Sequence, residues 1–140
     1  GLKGANSTEF DKNTRYPVIE LMESQRAIKR KGGTMRLGAY DCTIEPGTQT
    51  YAAYRKKQIS ERHRHRWEVN NRYRDRLVKN GLKISGVNEE LNLVEIIELP
   101  DHPWYIAGQF HPELKSRVSK AHPLFREFIK AAVKHLNGKS

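Results

Sequence analysis

Three short apolar runs follow one another closely at residues 82–87, 91–99 and 104–110, and this spacing constrains the fold more than any other feature. Runs of this length, rich in Ile, Val and Leu and bounded by turn residues, read as β-strands. The pair Asn88-Glu89 between the first two suggests a tight antiparallel connection. Downstream, Leu124, Phe125, Phe128, Ile129, Ala132, Val133 and Leu136 recur at helical spacing over residues 122–136, and Pro123 sits where a first-turn proline is tolerated. That apolar stripe is expected to pack into the core rather than to form a groove for a partner.

Upstream the pattern is weaker. Residues 1–15, rich in Gly, Asn, Ser, Thr and charge, read as a loop. Residues 17–21 form a short strand-like stretch, and 24–33 a basic loop ending in Gly32-Gly33. From 35 to 44 apolar and polar positions roughly alternate, as in a half-buried strand. Residues 48–54 suit a short helix, and 72–80 another, closed by Gly81. Residues 58–71 are heavily charged with no clear period. Strands mixed with a terminal amphipathic helix point to an α/β or α+β domain, with function at strand ends and loops.

At 140 residues the chain fits one compact domain. Its mean hydropathy of −0.81 is polar for a self-contained globule, which suits a piece that takes part of its core from elsewhere. Lys and Arg total 26 against 16 acidic residues, a formal charge of +10, so anionic partners are favoured as a class. Cys42 is the single cysteine, which excludes an intrachain disulfide and makes a reducing, cytoplasmic setting the default. No apolar run approaches the roughly 20 residues that span a bilayer, and no membrane association is expected.

The sharpest chemical feature is Gln109-Phe110-His111-Pro112-Glu113. In extended chain, residues i and i+2 project to the same side, so Glu113 can reach back to His111 while Pro112 ends the strand's ladder. A carboxylate that accepts from one imidazole nitrogen fixes the tautomer and leaves the other nitrogen free to take a proton from a nucleophile. Spacing alone is equally consistent with a surface His and Glu flanking a turn proline.

With its surroundings, this corner resembles the class I glutamine amidotransferases, whose triad histidine and glutamate lie in a Phe-His-Pro-Glu context. Four further stretches, in order, narrow the resemblance to the CTP synthase family: Ala5-Asn6-Ser7-Thr8-Glu9-Phe10, Gly32-Gly33-Thr34-Met35-Arg36-Leu37-Gly38, Glu61-Arg62-His63-Arg64-His65-Arg66-Trp67-Glu68-Val69-Asn70 and His102-Pro103-Trp104. The resemblance implies an α/β fold, the class I amidotransferase-like sheet flanked by helices, with residues 1–140 as its C-terminal portion. It implies His111 as general base and acid, Glu113 as its orienting partner, and Glu9 and Arg66 as holders of the substrate glutamine. It also implies a cysteine nucleophile in a Gly-x-Cys-x-Gly turn upstream of the Asn-Ser-Thr-Glu-Phe stretch, and this chain begins after that point. Cys42, in a strand-like alternation with an acidic neighbour and no glycine elbow, is expected to be a packed strand cysteine. On this basis the isolated chain is expected to be inactive, and activity to need the upstream segment.

The same resemblance implies ammonia transfer to a synthase domain that aminates UTP, with ATP and Mg2+ belonging to that domain, no cofactor in this chain, and a homotetramer for the intact enzyme. Two other readings stay open. One is an amidotransferase-like regulatory module without turnover. The other is a basic nucleic-acid-binding module, since residues 55–76 hold nine Lys/Arg against three acids, with Tyr51, Tyr54, Trp67 and Tyr73 interleaved or adjacent. A zinc site on His63, His65 and His111 has no spacing signature behind it.

Overall fold

A computed structural model describes residues 1–21 and 35–138. The basic loop expected at 24–33, and the Gly32-Gly33-Thr34 part of its motif, lie outside the described residues. The strands are β1 (Ala5–Ser7), β2 (Tyr16–Leu21), β3 (Arg36–Ile44), β4 (Gln58–His65), β5 (Trp67–Val69), β6 (Lys83–Asn88), β7 (Leu93–Glu98) and β8 (Ile106–Gly108). The helices are α1 (Gln49–Tyr54), α2 (Arg74–Lys79) and α3 (Pro123–Leu136), with single 3-10 turns at Asn71–Tyr73 and Pro112–Leu114. β1, β2 and β5 form one sheet in that order, and a second sheet runs β4-β3-β6-β7-β8.

The three runs that open the sequence reading become β6, β7 and β8, paired antiparallel in succession. The first connection is longer than Asn88-Glu89. It spans residues 89–92, ends on Asn92 at φ 51°, and is closed by the Asn88 side chain accepting from Leu91 N–H. The third run shortens to Ile106–Gly108, because Phe110 turns inward as a core residue and His111 N–H leaves to bond Arg62 O at 2.8 Å. Residues 1–15 are not all loop: Ala5–Ser7 pairs parallel with β2.

The stretch without a period, 58–71, holds two strands. In β4 the inward residues are Glu61 and His63 and the outward ones Arg62 and Arg64, so the period of two is present but written in charged side chains on both faces. A search for apolar alternation cannot register it. β4 pairs with β3 along its whole length, and β5 pairs with β2 in the other sheet. Arg66 is the single residue between them, at the point where the chain changes sheets.

The core comprises Cys42, Ile44, Ala53, Ile96, Phe110 and Leu124, where the five-stranded sheet meets α1 and α3. Cys42 is 1% exposed, so it is the packed strand cysteine the alternation implies. The terminal helix departs from expectation. Only Leu124 of its apolar stripe is buried, while Phe128, Ile129 and Val133 are at least half exposed.

Candidate active site

His111 and Glu113 meet as their spacing predicts. His111 Nδ1 lies 2.6 Å from Glu113 Oε1, at the start of the Pro112–Leu114 turn. A carboxylate oxygen accepts, so Nδ1 carries the proton and Nε2 is the basic nitrogen. Nε2 makes no hydrogen bond among the described residues. The His111 N–H holds Glu113 below the usual carboxylate range. Both side chains are open to solvent, at 39% and 58% exposure.

Glu9 and Arg66 come to one end of the three-stranded sheet. β1 runs parallel to β2 and delivers Glu9 just past Ser7, whose partner is Ile19; Leu21, the last residue of β2, pairs with Trp67. Arg66 immediately precedes Trp67, so both predicted glutamine-holding residues sit beyond the same strand ends. Glu9 is exposed in a turn whose N–H bonds Ser7 Oγ at 3.1 Å. The site residues therefore come from three places: the turn after β1, the junction of the two sheets, and the turn after β8.

Behind them lies a buried ionisable cluster that the sequence reading did not single out. Arg36 Nη2 donates to Glu95 Oε1 at 2.5 Å, and Arg36 Nη1 is 3.5 Å from Glu68 Oε1. The Arg36 guanidinium also covers the Tyr40 ring, 4.2 Å from its centroid. His63 Nδ1 and His65 Nε2 are 2.8 Å apart, and His65 Nδ1 is 3.1 Å from Trp67 O. The proton positions follow in sequence. A carbonyl only accepts, so His65 carries its proton on Nδ1 and accepts on Nε2; His63 must then donate from Nδ1. That leaves His63 Nε2 without a proton, facing Glu95 Oε2 at 3.4 Å. Among the described residues neither of those two buried atoms has another hydrogen-bond partner.

Two acceptors this close repel. Burial first, then the Arg36 charge, pushes His63 down to about 3, while burial pushes Glu95 up against the opposing pull of its bond to Arg36. Burial likewise takes His65 down to about 4 and Glu68 up to about 7. Arg36 thus faces two carboxylates that burial raises and its own charge lowers. The signal for this cluster was present in the sequence as Glu95 within the apolar run Leu93-Val94-Glu95-Ile96-Ile97, since an acid in a fully buried strand requires a partner. The partner's identity was not legible, because Arg36 is 59 residues away.

Cys42 does not join the catalytic corner. Burial, reinforced by Glu95, pushes its thiol up to about 12, which removes the thiolate at neutral pH. Among the described residues no group of three His, Cys, Asp or Glu side chains is arranged to hold a metal ion, and no helix is long and apolar enough to cross a membrane. Arg62 and Arg64 remain exposed on β4.

Comparison with known proteins gives the family. The family "Glutamine amidotransferase class-I" matches residues 8–131. A CTP synthase of Pelotomaculum thermopropionicum is 59% identical over 135 residues, covering 96% of this chain and 25% of that protein. A CTP synthase of Methanosphaera stadtmanae is 61% identical over 132 residues, covering 94% and 25%. The chain therefore spans about a quarter of the length of the curated relatives it matches. Among solved structures, the glutaminase domain of Trypanosoma brucei CTPS with bound acivicin superposes with a TM-score of 0.87 at 36% identity, covering 96% of this chain and 52% of that one. The chain belongs to the class I glutamine amidotransferases, within the glutaminase domain of the CTP synthases.

Proposed function

We propose that this chain supplies the general base and the glutamine-holding residues of a site that hydrolyses glutamine to glutamate and ammonia. In the whole protein, that ammonia would aminate UTP to CTP at the expense of ATP. The observation that carries the reading is the 2.6 Å His111–Glu113 pair, which leaves Nε2 basic and uncommitted.

The nucleophile is assigned to a cysteine outside these 140 residues, because Cys42 is buried and its thiol is held protonated. Nε2 of His111 takes the thiol proton as sulfur attacks the glutamine side-chain carbonyl carbon. It returns that proton to the amide nitrogen, ammonia leaves, and a glutamyl thioester remains. Water then attacks the thioester carbon, giving its proton to Nε2, and the thiol is released with glutamate. Glu113 stabilises the imidazolium formed in each half-reaction and keeps the ring oriented. The Arg66 guanidinium suits the substrate's α-carboxylate and the Glu9 carboxylate its α-ammonium. ATP and Mg2+ are assigned to the amination step in the synthase part of the polypeptide, and no residue described here is given to them. The whole protein would assemble as a homotetramer through that part.

The test is made in the whole protein. His111→Ala is expected to lower glutamine hydrolysis by about 10²–10⁴-fold, the range that general acid–base catalysis supplies. 6-Diazo-5-oxo-norleucine is expected to label a cysteine other than Cys42, and Cys42→Ser to keep activity. Glutamine-protectable labelling of Cys42 would overturn the assignment. Retention of a folded, non-hydrolysing whole protein would favour the regulatory-module reading. Salt-sensitive, micromolar binding to a random oligonucleotide would favour nucleic acid.

A further inference from the structure

Glu68 lies two residues after Arg66, and Gln109 lies two residues before His111. The two meet: Gln109 Nε2 donates to Glu68 Oε2 at 2.9 Å. The other carboxylate oxygen, Oε1, is 3.3 Å from His65 Nδ1 and 3.5 Å from Arg36 Nη1. His65 in turn reaches over Arg66 to bond Trp67 O. One side chain, 3% exposed, therefore touches the residues that flank both proposed site residues.

The surrounding bonds make this a rigid connection. Gln109 is fixed at its backbone by N–H to Glu95 O at 2.8 Å, and His111 by N–H to Arg62 O at 2.8 Å. Between them Phe110 is buried, its ring edge-on to His63 with centroids 6.1 Å apart. The peptide from Gln109 to His111 thus rests on the ionisable cluster through Gln109 and Phe110 and on β4 through His111. Glu68 is the member of that cluster that sits on the three-stranded sheet, while Arg36, His63, His65 and Glu95 sit on the five-stranded one. Its bond to Gln109 is one of the links between the two sheets near Arg66 and His111.

We propose that Glu68 is a positioning residue for glutamine hydrolysis, its bond to Gln109 holding the His111 segment against β5, two residues after Arg66. This rests on the reading of His111 and Arg66 given above. A registry error of about 1 Å between a base and a substrate-holding residue can cost about a hundredfold in rate. Glu68 touches no reacting atom. Its effect is carried by the bond to Gln109, and an exchange of the two side chains can rebuild that bond with donor and acceptor reversed.

The experiment compares four variants of the whole protein: His111→Ala, Glu68→Gln, Gln109→Glu and the Glu68→Gln/Gln109→Glu exchange. Glutamine kcat and KM are measured well below each variant's Tm. Gln109→Glu, which leaves the Glu68 carboxylate with no donor opposite it, is expected to lose about tenfold or more in kcat, while Glu68→Gln keeps an acceptor oxygen for Gln109 Nε2 and is expected to lose less. The exchange variant is expected to regain most of that loss. Gln109→Glu with unchanged kcat, while His111→Ala is inactive, overturns the positioning role and leaves the reading of the corner intact. Losses that the exchange does not recover also overturn it, since the effect then belongs to the buried charge and not to the bond. If His111→Ala still hydrolyses glutamine, the reading of the corner falls and takes the proposal with it. Should Gln109→Glu fail to fold, Gln109→Met at its half-buried position removes the same bond without adding a second carboxylate. Lowered kcat there supports the proposal, and unchanged kcat overturns it.

Discussion

His63 and His65 hold their neutral forms in a chain of directional bonds that ends on a carbonyl, and protonation of His65 at Nε2 would break it. Burial and the Arg36 charge oppose protonation further, taking them to about 3 and about 4. In histidine side-chain NMR, both rings are expected to keep neutral-form shifts from pH 8 to 5. The unfolded chain binds these protons near the ordinary value of 6.5 and the folded one does not, so their stabilising contribution is lost as pH falls from 6.5 towards 4 and 3. Glu68 has the opposite sign. Raised from 4.5 to about 7, it contributes stability below 4.5 that disappears as pH rises through 7. The two oppose between 4.5 and 6.5, and only the histidines remain below that. The urea midpoint is therefore expected to fall more steeply from pH 4.5 to 3.5 than from 6.5 to 4.5. At the corner itself, Glu113→Gln replaces a carboxylate that stabilises imidazolium. It is expected to lower glutamine hydrolysis by up to about 10⁴-fold, the cost of turning a triad carboxylate into an amide.

At the scale of elements, β6, β7 and α1 are tied by one buried acid. Glu98, 2% exposed at the end of β7, accepts from the N–H groups of Gln49 and Thr50 in the first turn of α1 and from the Thr50 hydroxyl, which also meets Ser85 on β6. The carboxylate thus satisfies orphan donors at the helix start and sits at the favourable end of its dipole. Gly86 on β6 is required for a different reason. A Cβ there would lie 2.8 Å from both Cys42 Sγ and Ile96 Cγ1, two core atoms with no room to move. Gly86→Ala is expected to destabilise by about 1–3 kcal/mol, the cost of overpacking a filled core, read as a lower urea midpoint with unchanged m-value. The β-strand character of 82–99 was legible because its apolar residues alternate with turn signals. That of 58–69 was not, because Glu61, His63 and Glu68 fill inward positions that apolar patterning reserves for Leu or Val.

Across the whole molecule, α3 presents Phe128, Ile129 and Val133 to solvent while Leu124 alone reaches the core. A helix with that stripe exposed offers a contiguous apolar surface. The chain expressed by itself is expected to bind a hydrophobic dye such as ANS. Ile129→Lys with Val133→Lys is expected to abolish most of that binding with little change in Tm, because neither residue is buried. The helix's length and phase were plain in the sequence. The burial of its apolar face was not, since periodicity shows which residues share a side and says nothing about what covers it.

Local chemistry in the sequence determined the order of most strands and helices, the His111–Glu113 pair, and the membership of Cys42 in a strand. Each depends on residues within a few positions of one another, where backbone geometry alone dictates reach. Tertiary structure decided that Arg36, Glu68 and Glu95 share one buried site, and that Glu9 and Arg66 flank one sheet end. It also decided that the peptide leading into His111 rests on that site. Those contacts join residues tens of positions apart through two different sheets, and only the folded register brings their charges within reach of one another.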